Sequence, residues 1–143
     1  MSDIVQGGCA CGAIRYEYSD EPITTYNCHC RVCQQFTGSA YISGIILPAN
    51  TFKLTAGKPT YYTIPGDSGS DISRGFCAVC GSPVCAMISH MPDAVSIAAA
   101  SLDDPSQHTP SMDIYTSHAQ LWDHMNPDLP KFAEMPPTEE GDE

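Results

Sequence analysis

Apolar and polar residues fall into short stretches along this chain, punctuated by glycine and proline. Ala13 to Tyr18 alternates apolar with polar and predicts a strand. Ala40 to Leu47 is a nearly continuous apolar run that stops at Pro48, which predicts a buried strand. Phe52 to Leu54 predicts a short strand, and Thr60 to Ile64, bounded by Pro59 and Pro65-Gly66, a clearer one. Ser73 to Phe76 leads into a pair of cysteines, Val84 to Ile88 leads away from it, and Ala94 to Ala100 predicts a further strand. Val32 to Phe36 predicts one helical turn. Residues 101–130 carry Asp104-Pro105, Thr109-Pro110 and Asn126-Pro127 and read as mainly irregular. Many short strands with frequent breaks predict a mostly β architecture.

The length of 143 residues fits one domain with a real hydrophobic core. No internal repeat interrupts it, and the expected division is one domain over residues 1–130 and an acidic, proline-rich, disordered tail over 131–143. No apolar run is long enough to span a bilayer, and Met1-Ser2-Asp3-Ile4 is not a basic region followed by an apolar one. A cytoplasmic protein is therefore expected. The net charge is −11, from six basic and seventeen acidic residues. Such a surface repels phosphate backbones and argues against a nucleic-acid partner.

The eight cysteines change the picture most. Seven fall in three clusters: Cys9-Ala10-Cys11, Cys28-His29-Cys30-Arg31-Val32-Cys33 and Cys77-Ala78-Val79-Cys80. Such close spacing suits convergence on a metal ion better than ordinary disulfides, and a reducing compartment would keep the thiols free. Zinc is the usual tetrahedral partner of thiolates. A closed structural zinc needs four ligands, whereas a catalytic one keeps three and an open position. Seven thiols thus divide as four plus three. Joining the two pairs gives Cys9, Cys11, Cys77 and Cys80, with Cys28, Cys30 and Cys33 left as the open set. Grouping Cys9 and Cys11 with Cys30 and Cys33 satisfies the same arithmetic, and periodicity does not choose between them.

The chain resembles the glutathione-dependent formaldehyde-activating enzyme family, which includes the centromere-protein-V-like domains. Three segments carry the resemblance: Gly7-Gly8-Cys9-Ala10-Cys11-Gly12-Ala13-Ile14-Arg15-Tyr16, then Cys28-His29-Cys30-Arg31-Val32-Cys33-Gln34 with Thr37-Gly38-Ser39, then Arg74-Gly75-Phe76-Cys77-Ala78-Val79-Cys80-Gly81-Ser82-Pro83. Fainter echoes lie in Leu102-Asp103-Asp104-Pro105, Trp122 and Leu129-Pro130. The resemblance implies a β-tent of several small antiparallel sheets organised around two zinc ions. It implies that Cys9, Cys11, Cys77 and Cys80 hold the structural ion, and that Cys28, Cys30 and Cys33 hold the catalytic one. The implied activity is addition of glutathione to formaldehyde, a carbon–sulfur lyase run in the direction of synthesis. Where family members often carry a histidine before the Ile-Tyr step, this chain has Asp113 before Ile114-Tyr115.

Three thiolates leave a zinc complex with a charge of about −1, and its preferred fourth ligand is a soft donor such as a thiol. Coordination would deprotonate that thiol for attack on an aldehyde carbon. The expected partners are a small-molecule thiol and an aldehyde, with no nucleic acid and no membrane; a homodimer is compatible with the chain. Arg31 and Arg74, beside the clusters, are candidates for orienting substrate or for offsetting thiolate charge, with Lys53 and Lys58 next nearest in sequence. Cys85 lies in an apolar stretch and reads as a buried small hydrophobe. His29 stands between two ligands and reads as supporting them, its side chain turned away. His90, His108, His118 and His124 are scattered and read as ordinary histidines, and Trp122 and Tyr115 as packing over the open site. The rival function is a non-catalytic zinc module that binds a protein partner or senses zinc or thiols.

Overall fold

The apolar run that stops at Pro48 forms the strand next to which the larger sheet is assembled. The computed structural model describes residues 3–19, 21–65 and 69–136. Within them lie β1 (Val5–Gly8), β2 (Arg15–Tyr18), β3 (Thr24–Cys28), the helix α1 (Arg31–Thr37), β4 (Ile42–Pro48), β5 (Phe52–Ala56), β6 (Thr60–Pro65), β7 (Asp71–Phe76), β8 (Pro83–Ile88), β9 (Ala94–Ala98) and β10 (Asp113–Ile114). The architecture is mostly β. Seven strands form one sheet in the order β10-β3-β4-β9-β8-β7-β6, and three form a smaller sheet, β1-β2-β5. All pairings are antiparallel except β10 on β3.

β4 is flanked on both edges, by β3 and β9, which explains why its sequence is nearly all apolar. Ile45 and Leu47 on it join Ile97 of β9, Val84 of β8 and Tyr16 of β2 in the main core. That core therefore draws on both sheets. Gly44 is required where it stands: a Cβ there would come 2.3 Å from the Tyr26 ring. Cys9 and Cys77 belong to the same core cluster, so the core reaches to the tips of two hairpins.

The expected strands are all present, with shifted ends. The first begins at Arg15, not Ala13, because Ile14 closes the preceding loop: its carbonyl accepts from the Cys9 N–H at 3.1 Å. The strand from Ala94 ends at Ala98, where a 3-10 turn over Ala99–Ser101 takes over. Three strands carry no usable apolar alternation and escape the sequence pattern. They are β1 (VQGG), β3 (TTYNC) and the two-residue β10, each ordered by the partner it pairs with. The helical turn is a full seven-residue helix, and it stops at Gly38, whose φ of 69° is the left-handed region that glycine tolerates.

The segment from Lys131 to Glu134 straps back over this end of the sheet. Lys131 bridges to Asp113, Phe132 packs beside Cys28, Cys33 and Ile114, and the Tyr115 N–H donates to the Glu134 carbonyl at 3.1 Å. The expected tail, residues 131–143, begins with that segment; its residues 137–143, the acidic end, lie outside the described residues.

Leu47 has no exposed surface and sits at the centre of the main core. Leu47→Ala should cost about 3 kcal/mol, read as a lower midpoint of urea unfolding at unchanged slope.

Candidate metal centres

Two hairpin loops from different sheets meet tip to tip. The β1–β2 loop carries Cys9 and Cys11, and the β7–β8 loop carries Cys77 and Cys80. Each loop turns tightly because a glycine follows its second cysteine with positive φ, 84° at Gly12 and 80° at Gly81. The turns aim backbone N–H groups at sulfur: Ile14 donates to Cys9 Sγ at 3.2 Å, Val79 and Cys80 to Cys77 Sγ at 3.4 and 3.5 Å. The Ala10 N–H donates across to Ser82 Oγ at 3.0 Å and ties one loop to the other. The four sulfurs lie within 4.8 Å of one another. Cys11 Sγ stands 3.7 Å from Cys9 Sγ and 3.8 Å from Cys77 Sγ. Four zinc–sulfur bonds of about 2.3 Å in a tetrahedron set sulfurs about 3.8 Å apart, so this set fits a closed thiolate site.

Cys28, Cys30 and Cys33 gather separately at the step from β3 into α1, again within 4.8 Å. The grouping of Cys9 and Cys11 with Cys30 and Cys33 is not formed. Among the described residues, no fourth histidine, cysteine or acidic ligand atom joins the three sulfurs. Cys30 caps α1, accepting from the Cys33 N–H at 3.4 Å. Cys28 and Cys33 are buried and Cys30 is half-buried, so the set is approached from the Cys30 side. All eight cysteines are free thiols.

The sulfurs act on one another's protons. In the triple, hydrogen bonds with Cys28 and Cys33 pull Cys30 down to about 2, while hydrogen bonds with Cys30 and Cys33, together with burial, drive Cys28 far up. The cluster thus accepts one negative charge readily and resists the next until a cation is supplied. In the four-sulfur set, the Ser82 hydroxyl leads in lowering Cys80 to about 5. Burial pushes Cys9 up, but the Ile14 N–H and neighbouring thiols outweigh it and leave Cys9 below its ordinary value.

Arg74 makes the metal fit more specific. It is 8% exposed, its Nη2 donates to Cys33 Sγ at 3.8 Å, and its buried Nη1 has no partner. A guanidinium buried this deeply needs negative charge nearby, and the three sulfurs would supply it as metal-bound thiolates. Thiolates at that density in turn need a metal ion. The donor set and this buried cation therefore fit a thiolate-bound metal such as zinc. Arg31 is exposed, with Nη1 donating to Gln34 Oε1 at 2.5 Å.

His29 is fully buried, stands between Cys28 and Cys30 in the chain, and does not join the three-sulfur set. Nε2 pairs with Asp113 Oδ1 at 2.8 Å and Nδ1 with Asp123 Oδ2, so both ring nitrogens face acceptors. Tyr41 packs on the ring at 5.0 Å. Asp113 also accepts from Asn27 at 3.2 Å and from Lys131 at 2.8 Å. Burial alone would push Asp113 up; Lys131, His29 and Asn27 outweigh it and hold it below its ordinary value. The departure at Asp113 is thus half of a clamp on the loop that carries the open triple. The sequence hinted at this arrangement through the histidine enclosed between two cysteines, the acid at 113 where family members often carry a histidine, and Gln34 at the end of the second cysteine segment; Asp123 carried no signal. Gln34 Nε2 donates to the His29 carbonyl at 2.7 Å and the His118 carbonyl at 3.1 Å.

The remaining candidates stand apart from the sulfurs. Cys85 is buried in the main core, 3.7 Å from the Tyr61 hydroxyl. His90, His118 and His124 are exposed, and half-buried His108 reaches Ser43 Oγ at 2.6 Å. Lys53 lies on β5 in the other sheet, and Lys58 follows that strand. Tyr115 packs against the cluster of Cys28, Cys33 and Ile114, whereas Trp122 is 61% exposed. A groove of about 710 Å³ runs from Cys9 and Ala10 to Thr37, Ser39 and Tyr41, but none of the three sulfurs of the open triple lines it.

A family model described as the glutathione-dependent formaldehyde-activating enzyme matches residues 4–118. A crystal structure of a Rhodobacter sphaeroides protein shares the fold, with a TM-score of 0.57 at 20% identity, covering 73% of this chain and 97% of that one. None of the curated proteins matches this chain.

Two predictions follow from the geometry. Cys30→Ser should lower the metal content of the purified protein by about one equivalent with little change in circular dichroism, whereas Cys77→Ser should cost more than about 3 kcal/mol of stability because metal binding there is folding free energy. Asp113→Asn should cost about 3 kcal/mol at neutral pH, since a buried charged partner is removed. A depressed carboxylate stabilises the fold only while ionised, so wild type and variant should converge in unfolding midpoint as pH falls below about 4.

Proposed function

The chain belongs to the glutathione-dependent formaldehyde-activating enzyme family, and from that membership and its two thiol clusters we propose a zinc enzyme that joins a thiol to an aldehyde or cleaves the resulting carbon–sulfur bond. The observation that carries this reading is the three-sulfur set without a fourth ligand, approached at Cys30, beside a separate four-sulfur set. On this reading Cys9, Cys11, Cys77 and Cys80 hold a structural zinc, and Cys28, Cys30 and Cys33 a catalytic one. Zinc bound there would supply a fourth position suited to a soft sulfur donor and would lower the pKa of that thiol.

The protein's own residues do the rest. Arg74 offsets the charge of the sulfurs and keeps Cys33 in place through its Nη2. His29, held by Asp113 and Asp123, fixes the Cys28–Cys30 segment so that the sulfurs converge without rearrangement. Cys30 leaves the side on which a thiol and a small aldehyde can approach. In the reaction a carbon–sulfur bond forms between the thiolate and the carbonyl carbon. The carbonyl pair moves to oxygen, which takes the proton given up by the thiol. The reverse direction returns thiol and aldehyde. Eight free thiols suit a reducing compartment, and we place the enzyme in the cytoplasm. Among the described residues no helix is long and apolar enough to cross a membrane.

The test is visible absorption of the cobalt-substituted protein titrated with small thiols. One of the two cobalt ions should change its spectrum on thiol addition, and Cys30→Ser should abolish that change and lower adduct formation more than about 100-fold. Two ions whose spectra ignore every thiol would replace this reading with the non-catalytic module.

A further inference from the structure

The strand registers lay one row of side chains across the large sheet beside the open triple. Tyr62 of β6 stands opposite Arg74 of β7, Arg74 opposite Ala86 of β8, and Ala86 opposite Ser96 of β9. Residues directly opposite in antiparallel strands present their side chains on one face. The triple meets the same row. Ser96 Oγ and the Tyr26 hydroxyl stand 2.6 Å apart, Tyr26 packs against the cluster of Cys28, Cys33 and Ile114, and Arg74 Nη2 donates to Cys33 Sγ at 3.8 Å. Arg74 is the one charged side chain of the row.

The other terminal nitrogen of Arg74 is unused. Nη1 is buried and has no hydrogen-bond partner among the described residues. Burying a charged donor without an acceptor is costly, so the acceptor is expected from whatever enters the site. Both terminal nitrogens belong to one rigid planar fork, so Nη1 is held next to the sulfur that Nη2 contacts. The charge of Arg74 also acts on Cys30, the half-buried sulfur on the side from which the triple is approached. Nearby donors are engaged elsewhere. Gln34 Nε2 serves the His29 and His118 carbonyls, the Thr37 hydroxyl serves the Cys33 carbonyl, and the Tyr26 hydroxyl stands against Ser96 Oγ. Arg31 is exposed and turns its own Nη1 to Gln34 Oε1.

Addition of a thiolate to an aldehyde calls for a donor at this place. As the sulfur–carbon bond forms, the π pair of the carbonyl moves to oxygen, and one carbon separates that oxygen from sulfur. A fixed N–H aimed at the oxygen stabilises the charge that develops there. We propose that Arg74 is a catalytic residue whose Nη1 donates to the carbonyl oxygen of the aldehyde while Nη2 stays on Cys33 Sγ. The inference rests on the function proposed above. The guanidinium keeps its proton throughout, and the oxygen receives the proton given up by the thiol. In the reverse direction the same N–H holds the oxygen of the adduct as the carbon–sulfur bond breaks.

Thioacetate probes the contact, because it carries oxygen on the carbon next to sulfur, as the adduct does. Dithioacetate is the matching anion with sulfur in that position. Both are titrated into the full-length, cobalt-substituted protein and followed by visible absorption. Wild type should bind thioacetate at least about tenfold more tightly than dithioacetate, as a charge-assisted N–H···O bond requires. Arg74→Lys keeps a positive charge beside the sulfurs and loses the fork. It should retain its metal content and hold its ethanethiol affinity within about threefold of wild type, yet lose the preference for thioacetate. Its kcat/KM for joining ethanethiol to formaldehyde should fall at least about 100-fold. Arg74→Met, which removes every donor, should lose the same preference. Equal affinities or tighter binding of dithioacetate in wild type overturns the inference, whether or not either variant folds. A preference that survives in Arg74→Met overturns it too. So does a fall in turnover matched by an equal loss of metal or of ethanethiol affinity, which would leave Arg74 as a support for the cluster only. In those cases ethanethiol still alters the wild-type cobalt spectrum and the proposed function stands. If no thiol alters that spectrum, the proposed function fails and this inference with it.

Discussion

The structure depends on sulfur atoms from two hairpin tips being brought within one coordination sphere. β1–β2 belongs to the small sheet and β7–β8 to the large one, and among the described residues no strand pairing joins the two sheets. They are held together by the shared core and by the meeting of Cys9 and Cys11 with Cys77 and Cys80. Four thiolates in contact would repel one another, and a cation bound among them would offset that repulsion and tie the tips together. The glycines at 12 and 81, the Ala10–Ser82 hydrogen bond and the N–H groups aimed at sulfur all serve this one junction.

The second centre is built on a different plan. Its three cysteines come from a single stretch of chain, so metal binding there closes a small loop and does not join distant parts. Support comes from outside the ligands: a buried guanidinium on one sulfur and a histidine clamped by two carboxylates. The clamp reaches across to residues 113–123 and, through Lys131, to the strap that follows. On the function proposed above, one centre would hold the fold while the other would keep a coordination position for chemistry.

A strongly acidic chain that gathers thiolates places its few cations with care. Arg74 lies against sulfur, Lys131 against Asp113 and Arg15 against Asp103. Each offsets a local anion, which leaves little positive charge for recruiting an anionic ligand.

Spacing and composition by themselves determined the presence of two thiol sets, the mostly β class and most strand positions. Cysteine separations and the Gly/Pro breaks are local properties that survive in any arrangement of the chain. They did not decide the four-plus-three partition: Cys9 could be matched with Cys30 or with Cys77 on counting alone. Tertiary structure decided it, because the hairpin registers bring Ser82 to Ala10 and keep α1 elsewhere. The polar strands β1, β3 and β10 were invisible for the same reason, since each is stabilised by a partner and not by its own periodicity. Asp113 stood out only as a departure from the family's histidine, and Asp123 not at all, until folding places them at the two ring nitrogens of His29, more than 80 residues away along the chain. Local pattern is written in neighbouring residues, but a charge clamp exists only when distant ones meet.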